Sequence, residues 1–177
     1  MGVEKLKPIE GKEQEVTQQA PIYAVIRIRG TVGVPYDIER TLRLLRLTRK
    51  FHCVIYPANP SVIGMLEKAK DWITWGEIDY ETLVELLKKR GRTRGNKPLT
   101  DEYVQKVLGL SGIEDLARKI LEGELVFHKL EDYGIKPVFR LHPPKKGFKG
   151  SIKKPYKDGG ELGYRGKAIN ELLKRMM

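Results

Sequence analysis

The stretch IYAVIRIRGTVGVPYDIERTLRLLRL, residues 22–47, decides the fold of this chain. Apolar and other residues alternate along Ile22–Arg29, which is the period of a strand with one buried face. This alternation places Arg27 and Arg29 on the opposite face, where we expect them to meet solvent or a polyanion. Gly30–Gly33 then predicts a turn, and the leucine-rich run that follows predicts an amphipathic helix.

The same order of elements repeats downstream. Phe51–Tyr56 predicts a second strand, and Asn59 with Pro60 supplies the N-cap and first turn of a second helix. A third strand is predicted over Trp72–Ile78. Residues 21–79 therefore predict a β-α-β-α-β core in which two helices pack on a three-stranded sheet.

The rest of the chain predicts mainly helices. Residues 80–136 form a helical extension, with Asp79 and Thr100 as N-caps and Ser111 with Glu114 as a capping box. Residues 137–177 comprise a basic arm, with a short extra strand at Val138–Leu141, and a last helix. Residues 1–20 lack a sustained period and predict a flexible tail. The fold class is α+β, with a helical extension and a basic C-terminal arm.

Composition limits the class of protein. The single cysteine excludes an internal disulfide and a multi-thiolate zinc site, so a reducing cytoplasm is the expected compartment. An apolar run near the roughly 18 residues that cross a bilayer is absent, and the N-terminus is too polar for a secretory signal. We therefore expect neither a membrane partner nor secretion.

Positive charge is concentrated in two regions of the chain. The formal net charge of the whole chain is +11. Residues 134–177 carry a net charge of +9 and residues 23–56 a net charge of +5, so the remaining residues are net negative. The segment Pro137–Lys157 holds seven Lys or Arg and no carboxylate, interrupted by prolines and glycines. It is predicted not to fold on itself and to need a polyanion that orders it. The loop 88–97 adds six cations without a carboxylate.

Residues that could carry chemistry are few. Gly30–Gly33 lies between strand and helix like a phosphate-binding loop, but its spacing matches neither Walker A nor the dinucleotide fingerprint, which favours a plain turn. His52 and Cys53 are neighbours on a strand and point to opposite faces, so they cannot form a dyad, and Cys53 is expected in the core. His128 and His142 lack metal-ligand spacing. No catalytic residue, metal, cofactor or small-molecule substrate is predicted.

Several segments in order resemble one known family. YAVIRIRGTVGVPYDIERTLRLLRL, FHCVIYPANPSVIGMLEKAKDWITWGEID, RGNKPLT, FRLHPP and KDGGELG are similar to the archaeal and eukaryotic branch of the ribosomal protein family uL30, over about residues 22–177. The resemblance implies a ferredoxin-like core at Ile22–Asp79 and a non-enzymatic, cytoplasmic ribosomal protein active in translation. It also implies binding to large-subunit rRNA, a place near the 5S rRNA, and neighbouring ribosomal proteins as partners.

Two alternatives stay open on the residues alone. One is a small nucleotide-using enzyme that holds phosphate at Gly30–Gly33. The other is a DNA-binding architectural protein, although the sequence shows no helix-turn-helix, zinc finger or intercalating wedge.

We expect an RNA contact to use backbone and shape recognition, in which Arg pairs with phosphates, Lys neutralises charge, and Phe148, Tyr156 or Tyr164 stacks on bases. The candidate RNA-binding residues are Arg27, Arg29, Thr31, Arg40, Arg43, Arg46, Arg49, Lys50, Lys88, Lys89, Arg90, Arg92, Arg94, Lys97, Arg140, His142, Lys145, Lys146, Lys149, Lys153, Lys154, Tyr156, Lys157, Arg165 and Lys167.

Overall fold

The computed structural model describes residues 21–177, and the flexible tail predicted over residues 1–20 lies outside them. The α+β class is confirmed: a mixed six-stranded sheet is covered by helices. The strands are β1 Ile22–Arg27, β2 His52–Pro57, β3 Ile73–Glu77, β4 Phe139–Arg140, β5 Ser151–Pro155 and β6 Gly160–Tyr164. The helices are α1 Tyr36–Leu44, α2 Pro60–Lys68, α3 Tyr80–Arg90, α4 Asp101–Leu108, α5 Ile113–Leu121 and α6 Ile169–Met176, with 3-10 helices at Phe127–Tyr133, Tyr156–Asp158 and Gly166–Ala168.

The sheet joins the two halves of the chain. Its strand order is β4-β2-β1-β3-β6-β5. The three strands predicted from residues 21–79 lie side by side, with β1 central and antiparallel to both β2 and β3. The C-terminal residues then extend the sheet at both edges, because β4 pairs with β2 and β6 pairs in parallel with β3.

Both faces of the central sheet are buried. Val25 faces a core that includes Leu42 of α1 and Leu66 of α2. Ala24 and Ile26 face a second core built by α3, α5 and α6. The prediction of a half-buried first strand is therefore wrong, because α1 and α2 cover the face of Val25 that the alternation left open, while helices from the later part of the chain cover the face of Ala24 and Ile26.

Most of the predicted helix starts are confirmed. The Asn59 carboxamide oxygen accepts from Val62 N–H at 2.9 Å, and the Asp79 carboxylate accepts from Thr82 N–H at 2.8 Å. Thr100 caps α4 in the same way. The capping box at Ser111 is wrong, because Ile113 N–H, at the start of α5, donates at 2.8 Å to Asp101, which belongs to α4.

The basic arm is ordered by the rest of the chain, so the prediction that it needs a polyanion to order it is wrong. Its backbone follows the end of α6, where His142 N–H donates to Met176 O at 3.1 Å and Lys145 N–H to Arg175 O at 2.9 Å. Gly150 N–H then donates to the buried carboxylate of Glu161 at 2.9 Å. The arm ends in β5, an edge strand, and edge strands tolerate lysine and proline because one side stays in solvent.

Candidate nucleic-acid interface

Arg27 is an internal residue. Its side chain is 0% exposed, so the predicted outward orientation is wrong. The guanidinium donates to three backbone carbonyls, at 2.9 Å to Arg29, 2.7 Å to Leu47 and 3.1 Å to Gly30. A carboxylate oxygen of Glu39 lies 3.8 Å away. Arg27 therefore joins the end of β1, the Gly30–Gly33 turn and the loop after α1, and we exclude it from the interface.

Arg165 is buried for a similar reason. It pairs with the buried Glu161 at 2.7 Å and donates from Nε to the Thr74 hydroxyl at 2.7 Å. These contacts tie β6 to β3. Its guanidinium also lies 4.9 Å from the centre of the Tyr156 ring. A buried and paired guanidinium is not accessible to a phosphate, so we also exclude Arg165 from the candidate RNA-binding residues.

Two basic segments that are far apart in sequence meet at one cleft of about 490 Å³. The end of α1 contributes Arg43 and Arg46, and the opposite wall contributes Lys136 and Arg140. Arg140 lies across the β2–β4 ladder from His52, which also lines the cleft together with Glu131. We call this site the arginine cleft; its charged lining comprises four cations and one carboxylate.

The loop 88–97 reaches the arginine cleft through its backbone. Lys136 N–H donates to Arg92 O at 2.9 Å, and Thr93 forms an isolated bridge with Ile135. Arg49 and Lys50 lie exposed in the segment between Arg46 and β2. The cleft is thus bordered by further cations. Lys136 and Glu131 are absent from the sequence prediction, because no pattern in the chain indicates that these residues face α1.

Arg46 occupies an unusual backbone position at the end of α1. Leu47 N–H donates to Leu42 O and Arg46 N–H to Arg43 O, which is the hydrogen-bond pattern of a Schellman cap. This cap places Arg46 at φ 65°, where glycine is the usual residue. A side chain there costs about 1 kcal/mol. The Arg46 guanidinium contacts the carboxylate of Glu131 at 2.7 Å.

Burial and positive charge act on two half-buried histidines near the cleft. Burial lowers the pKa of His52, and the nearby charges of Arg140, Arg49 and Arg27 lower it further. Burial also lowers the pKa of His128, with Arg46 and Lys129 adding to the effect. In both rings Nδ1 is buried and has no hydrogen-bond partner within residues 21–177. The folded structure therefore disfavours the protonated form of both imidazoles.

These lowered pKa values predict that stability falls on acidification. Below pH 6.5 the two histidines bind protons more readily in the unfolded chain than in the folded one. The free energy of unfolding therefore decreases as pH falls from 7 to 5.5. The slope is at most about 1.4 kcal/mol per pH unit for each histidine and is reduced here by solvent screening. Urea unfolding at both pH values measures it. The variant His52→Gln/His128→Gln should show a flatter profile, and an equally steep profile in this variant would contradict the assignment.

A second cationic surface lies at the opposite edge of the sheet. Lys153 and Lys154 in β5, with Tyr156 and Lys157 after it, are exposed. We call these four residues the lysine edge. Since β4 and β5 are the two edge strands and neighbouring strands lie about 4.8 Å apart, roughly 24 Å separates the two surfaces. The structure therefore divides the cations of the arm between two sites.

The remaining candidate residues fall into two groups. Some are engaged by the protein itself: Lys88 pairs with Glu114, Lys89 with Glu85 and Lys149 with Glu171, Arg90 donates to the Met177 carbonyl, Arg92 to that of Gly91, and Arg29 stacks on Trp72. His142 is half-buried. The others are exposed on the surface outside the two sites: Thr31, Arg40, Arg94, Lys97, Lys145, Lys146 and Lys167.

Of the three predicted stacking residues, Tyr156 is the one that belongs to a cationic surface. Phe148 is half-buried and packs on Phe51, with ring centres 6.3 Å apart. The Tyr164 hydroxyl donates to Glu77 at 2.5 Å, which raises the pKa of Tyr164 to about 12. Tyr156 is exposed and lies beside Lys157.

Other kinds of site are not seen in the part of the chain that the structure describes. Within it, no three His, Cys, Asp or Glu side chains are grouped so that they could hold a metal ion. None of its helices is both long and apolar enough to cross a membrane. Cys53 is fully buried, and burial raises its pKa, which confirms the prediction of a core cysteine.

Comparison with known proteins places these features in a family. Residues 23–73 match the family model described as ribosomal protein L30p/L7e. A protein of Hyperthermus butylicus named large ribosomal subunit protein uL30 is 64% identical over 173 residues, which cover 94% of this chain and 96% of the relative. Relatives with the same name are 66% identical in Staphylothermus marinus, over 88% of this chain and 98% of the relative, and 53% identical in Methanococcus vannielii, over 88% and 99%. The chain belongs to the uL30 family of large ribosomal subunit proteins.

This membership confirms several predictions. Members of the family are structural constituents of the ribosome and not enzymes, which sets aside the nucleotide-using enzyme as an alternative. A ribosomal protein is cytoplasmic within the ribosome and acts in translation as part of a ribonucleoprotein. Membership also implies association with rRNA and with other ribosomal proteins.

Proposed function

We propose that this protein binds and stabilises large-subunit rRNA by gripping its backbone at the arginine cleft and at the lysine edge. The observation that carries the proposal is the convergence of cations from two separate segments on one cleft, with the backbone of the basic loop 88–97 hydrogen-bonded to its wall at Lys136. A place near the 5S rRNA, which the family resemblance implies, is part of the proposal.

The charges around the cleft support an anionic partner. Arg49, Lys50 and Arg140 have no carboxylate within 4 Å in the described part of the chain. Like charges held close together repel one another in the free protein, and a polyanion relieves this repulsion. Solubility alone does not require cations to be gathered at one place, since dispersed charges serve it equally well.

The arginine cleft and the lysine edge are two separated cationic surfaces on one sheet, and this arrangement favours recognition of RNA shape. Arginine forks pair with phosphates, whereas the lysines of the edge act as point charges on long stems. Tyr156 adds an exposed ring on which an unpaired base can stack. A spacing of roughly 24 Å between the arginine cleft and the lysine edge selects folded RNA whose backbone passes both sites. Phosphate contacts at both sites fix the position and orientation of the protein on the RNA.

A matched pair of triple variants tests the proposal. Arg49→Ala/Lys50→Ala/Arg140→Ala removes three cations beside the cleft, and Lys68→Ala/Lys70→Ala/Lys106→Ala removes three exposed cations elsewhere. Each phosphate contact contributes about five- to eightfold at 100 mM salt, so we expect the first variant to bind large-subunit rRNA roughly a hundredfold more weakly. The second should bind nearly as well as wild type. Filter binding or electrophoretic mobility shift at fixed salt gives both values.

Equal losses in the two variants would show that net charge and not this surface binds RNA. Duplex DNA and a 5S rRNA fragment serve as competitors in the same assay. The proposal requires structured rRNA to compete better than duplex DNA. If duplex DNA competes equally well, the architectural DNA-binding alternative gains the support that the RNA proposal loses.

A further inference from the structure

We infer that the arginine cleft is a built site for one backbone phosphate, in which Arg46 is the clamping residue and Glu131 is the internal anion that the phosphate displaces. This inference rests on the proposed RNA-binding function and deepens it. It assigns a ligand group to a defined cavity and an opposing role to two residues in contact with each other.

The first support is the backbone at Arg46. A Schellman cap favours glycine at the position that Arg46 occupies, yet the chain has arginine there at φ 65°. Stability of the cap does not explain this choice. Strained non-glycine positions gather where a side chain must be held in a fixed place, and here the strain sets a guanidinium on the wall of the cleft.

The second support is the imbalance of charge inside the cleft. Among residues 21–177, Glu131 is the one carboxylate in the lining, and it contacts Arg46 through a single guanidinium nitrogen at 2.7 Å. Arg43 lines the same cavity and pairs with Glu39 at 3.6 Å, whereas Lys136 and Arg140 have no carboxylate partner among residues 21–177. A phosphate carries several acceptor oxygens and can bind more than one of these cations. The Glu131 side chain is 58% exposed, so it can move into solvent when a phosphate takes its place.

The third support is the size and position of the cleft. Its volume of about 490 Å³ lies in the range of clefts that hold small organic ligands, which matches the size of a phosphodiester with its flanking riboses. Arg49 and Lys50 continue the positive surface beyond it. An extended polyanion such as an RNA backbone suits this arrangement better than a single free ion.

His52 reports on occupancy of the cleft. Arg140 from β4, Arg49 from the preceding loop and Arg27 from β1 lower its pKa, and Arg43, Arg46, Lys136 and Glu131 share its cavity. An anion among these cations offsets their field, so the pKa of His52 rises when the cleft is filled. Since the chain has only three histidines, the imidazole signals can be followed by NMR.

The test compares Arg46→Gly and Glu131→Gln with wild type for binding to large-subunit rRNA at 100 mM salt. Arg46→Gly should weaken binding roughly five- to tenfold, because it removes one phosphate contact. Glycine suits the cap, so we expect its melting temperature to stay within about 3 °C of wild type. Glu131→Gln should strengthen binding about two- to fivefold, since it removes the competing charge.

The opposite signs distinguish phosphate binding from a structural salt bridge, which would make both variants equal to wild type or both weaker. If wild type binds rRNA and Glu131→Gln does not bind it more tightly, the inference is wrong while the proposed function stands. If wild type fails to bind rRNA, the proposed function fails and the inference fails with it.

In a separate arm, inorganic phosphate alone is titrated while the pKa of His52 is followed. A rise with inorganic phosphate but none with rRNA would assign the cleft to a free anion and overturn the RNA assignment.

Discussion

Replacing Arg27 with alanine should destabilise the protein by about 3–5 kcal/mol, as expected when one partner of a buried charged network is removed. The substitution leaves the carbonyls of Arg29, Gly30 and Leu47 without their donor and opens a cavity in the core. For a chain of this length we expect the melting temperature to drop by about 10 °C or more. Differential scanning calorimetry measures the change.

Two further variants separate the role of the carbonyls from that of the carboxylate. The Glu39 oxygen is 3.8 Å from the guanidinium, whereas the carbonyl contacts are 2.7–3.1 Å long, so the carbonyl hydrogen bonds dominate. Glu39→Gln should therefore cost less than about 1 kcal/mol, because the Glu39 side chain is partly exposed. Arg27→Lys keeps the charge but loses the planar guanidinium that reaches three carbonyls. Its loss of stability should therefore lie between those of Arg27→Ala and Glu39→Gln. A larger loss from Glu39→Gln than from Arg27→Lys would contradict this order.

The affinity of wild type for rRNA should fall about a thousandfold when salt rises from 50 to 200 mM. This expectation corresponds to about six phosphate contacts, each of which lowers the logarithm of affinity by roughly 0.7–0.9 per logarithm of salt concentration. Six cations of the two surfaces can supply these contacts: Arg46, Arg49, Lys50, Arg140, Lys153 and Lys154. Binding measured across a salt series gives the slope directly.

The variant that lacks Arg49, Lys50 and Arg140 is the internal control for this slope. It should show a slope shallower by about 2–3, because three of the contacts are gone. The variant that lacks Lys68, Lys70 and Lys106 should keep the wild-type slope. A nearly flat response in wild type would show that hydrogen bonds or apolar contacts, and not phosphates, carry the binding.

The predicted elements whose signal is local were found in the structure, and those that depend on distant partners were not. Asn59 and Asp79 mark helix starts because each caps its own helix within three residues. Asp101 could not be identified as the cap of α5, since it belongs to α4 and meets Ile113 only after folding. Alternation along β1 located the strand correctly, but it could not show that α1 and α2 would bury the face assigned to solvent.

The same distinction explains the errors at the candidate site. Arg27 and Arg140 both belong to basic segments, yet one is buried and the other is exposed at an edge, and this difference depends on which strands flank them. Proline and glycine made residues 137–157 resemble a loose arm, because a five-residue edge strand is too short to show a period. The arginine cleft could not be predicted at all, since its walls come from segments about ninety residues apart.

The position of β1 at the centre of the sheet also bears on how this protein matures during its own synthesis. One side of β1 packs on helices that are encoded early, whereas its other side waits for α3, α5 and α6, and the last of these ends at Met176. A nascent chain therefore exposes an apolar sheet surface until α6 has been synthesised. Until then this surface is a site at which nascent chains can aggregate.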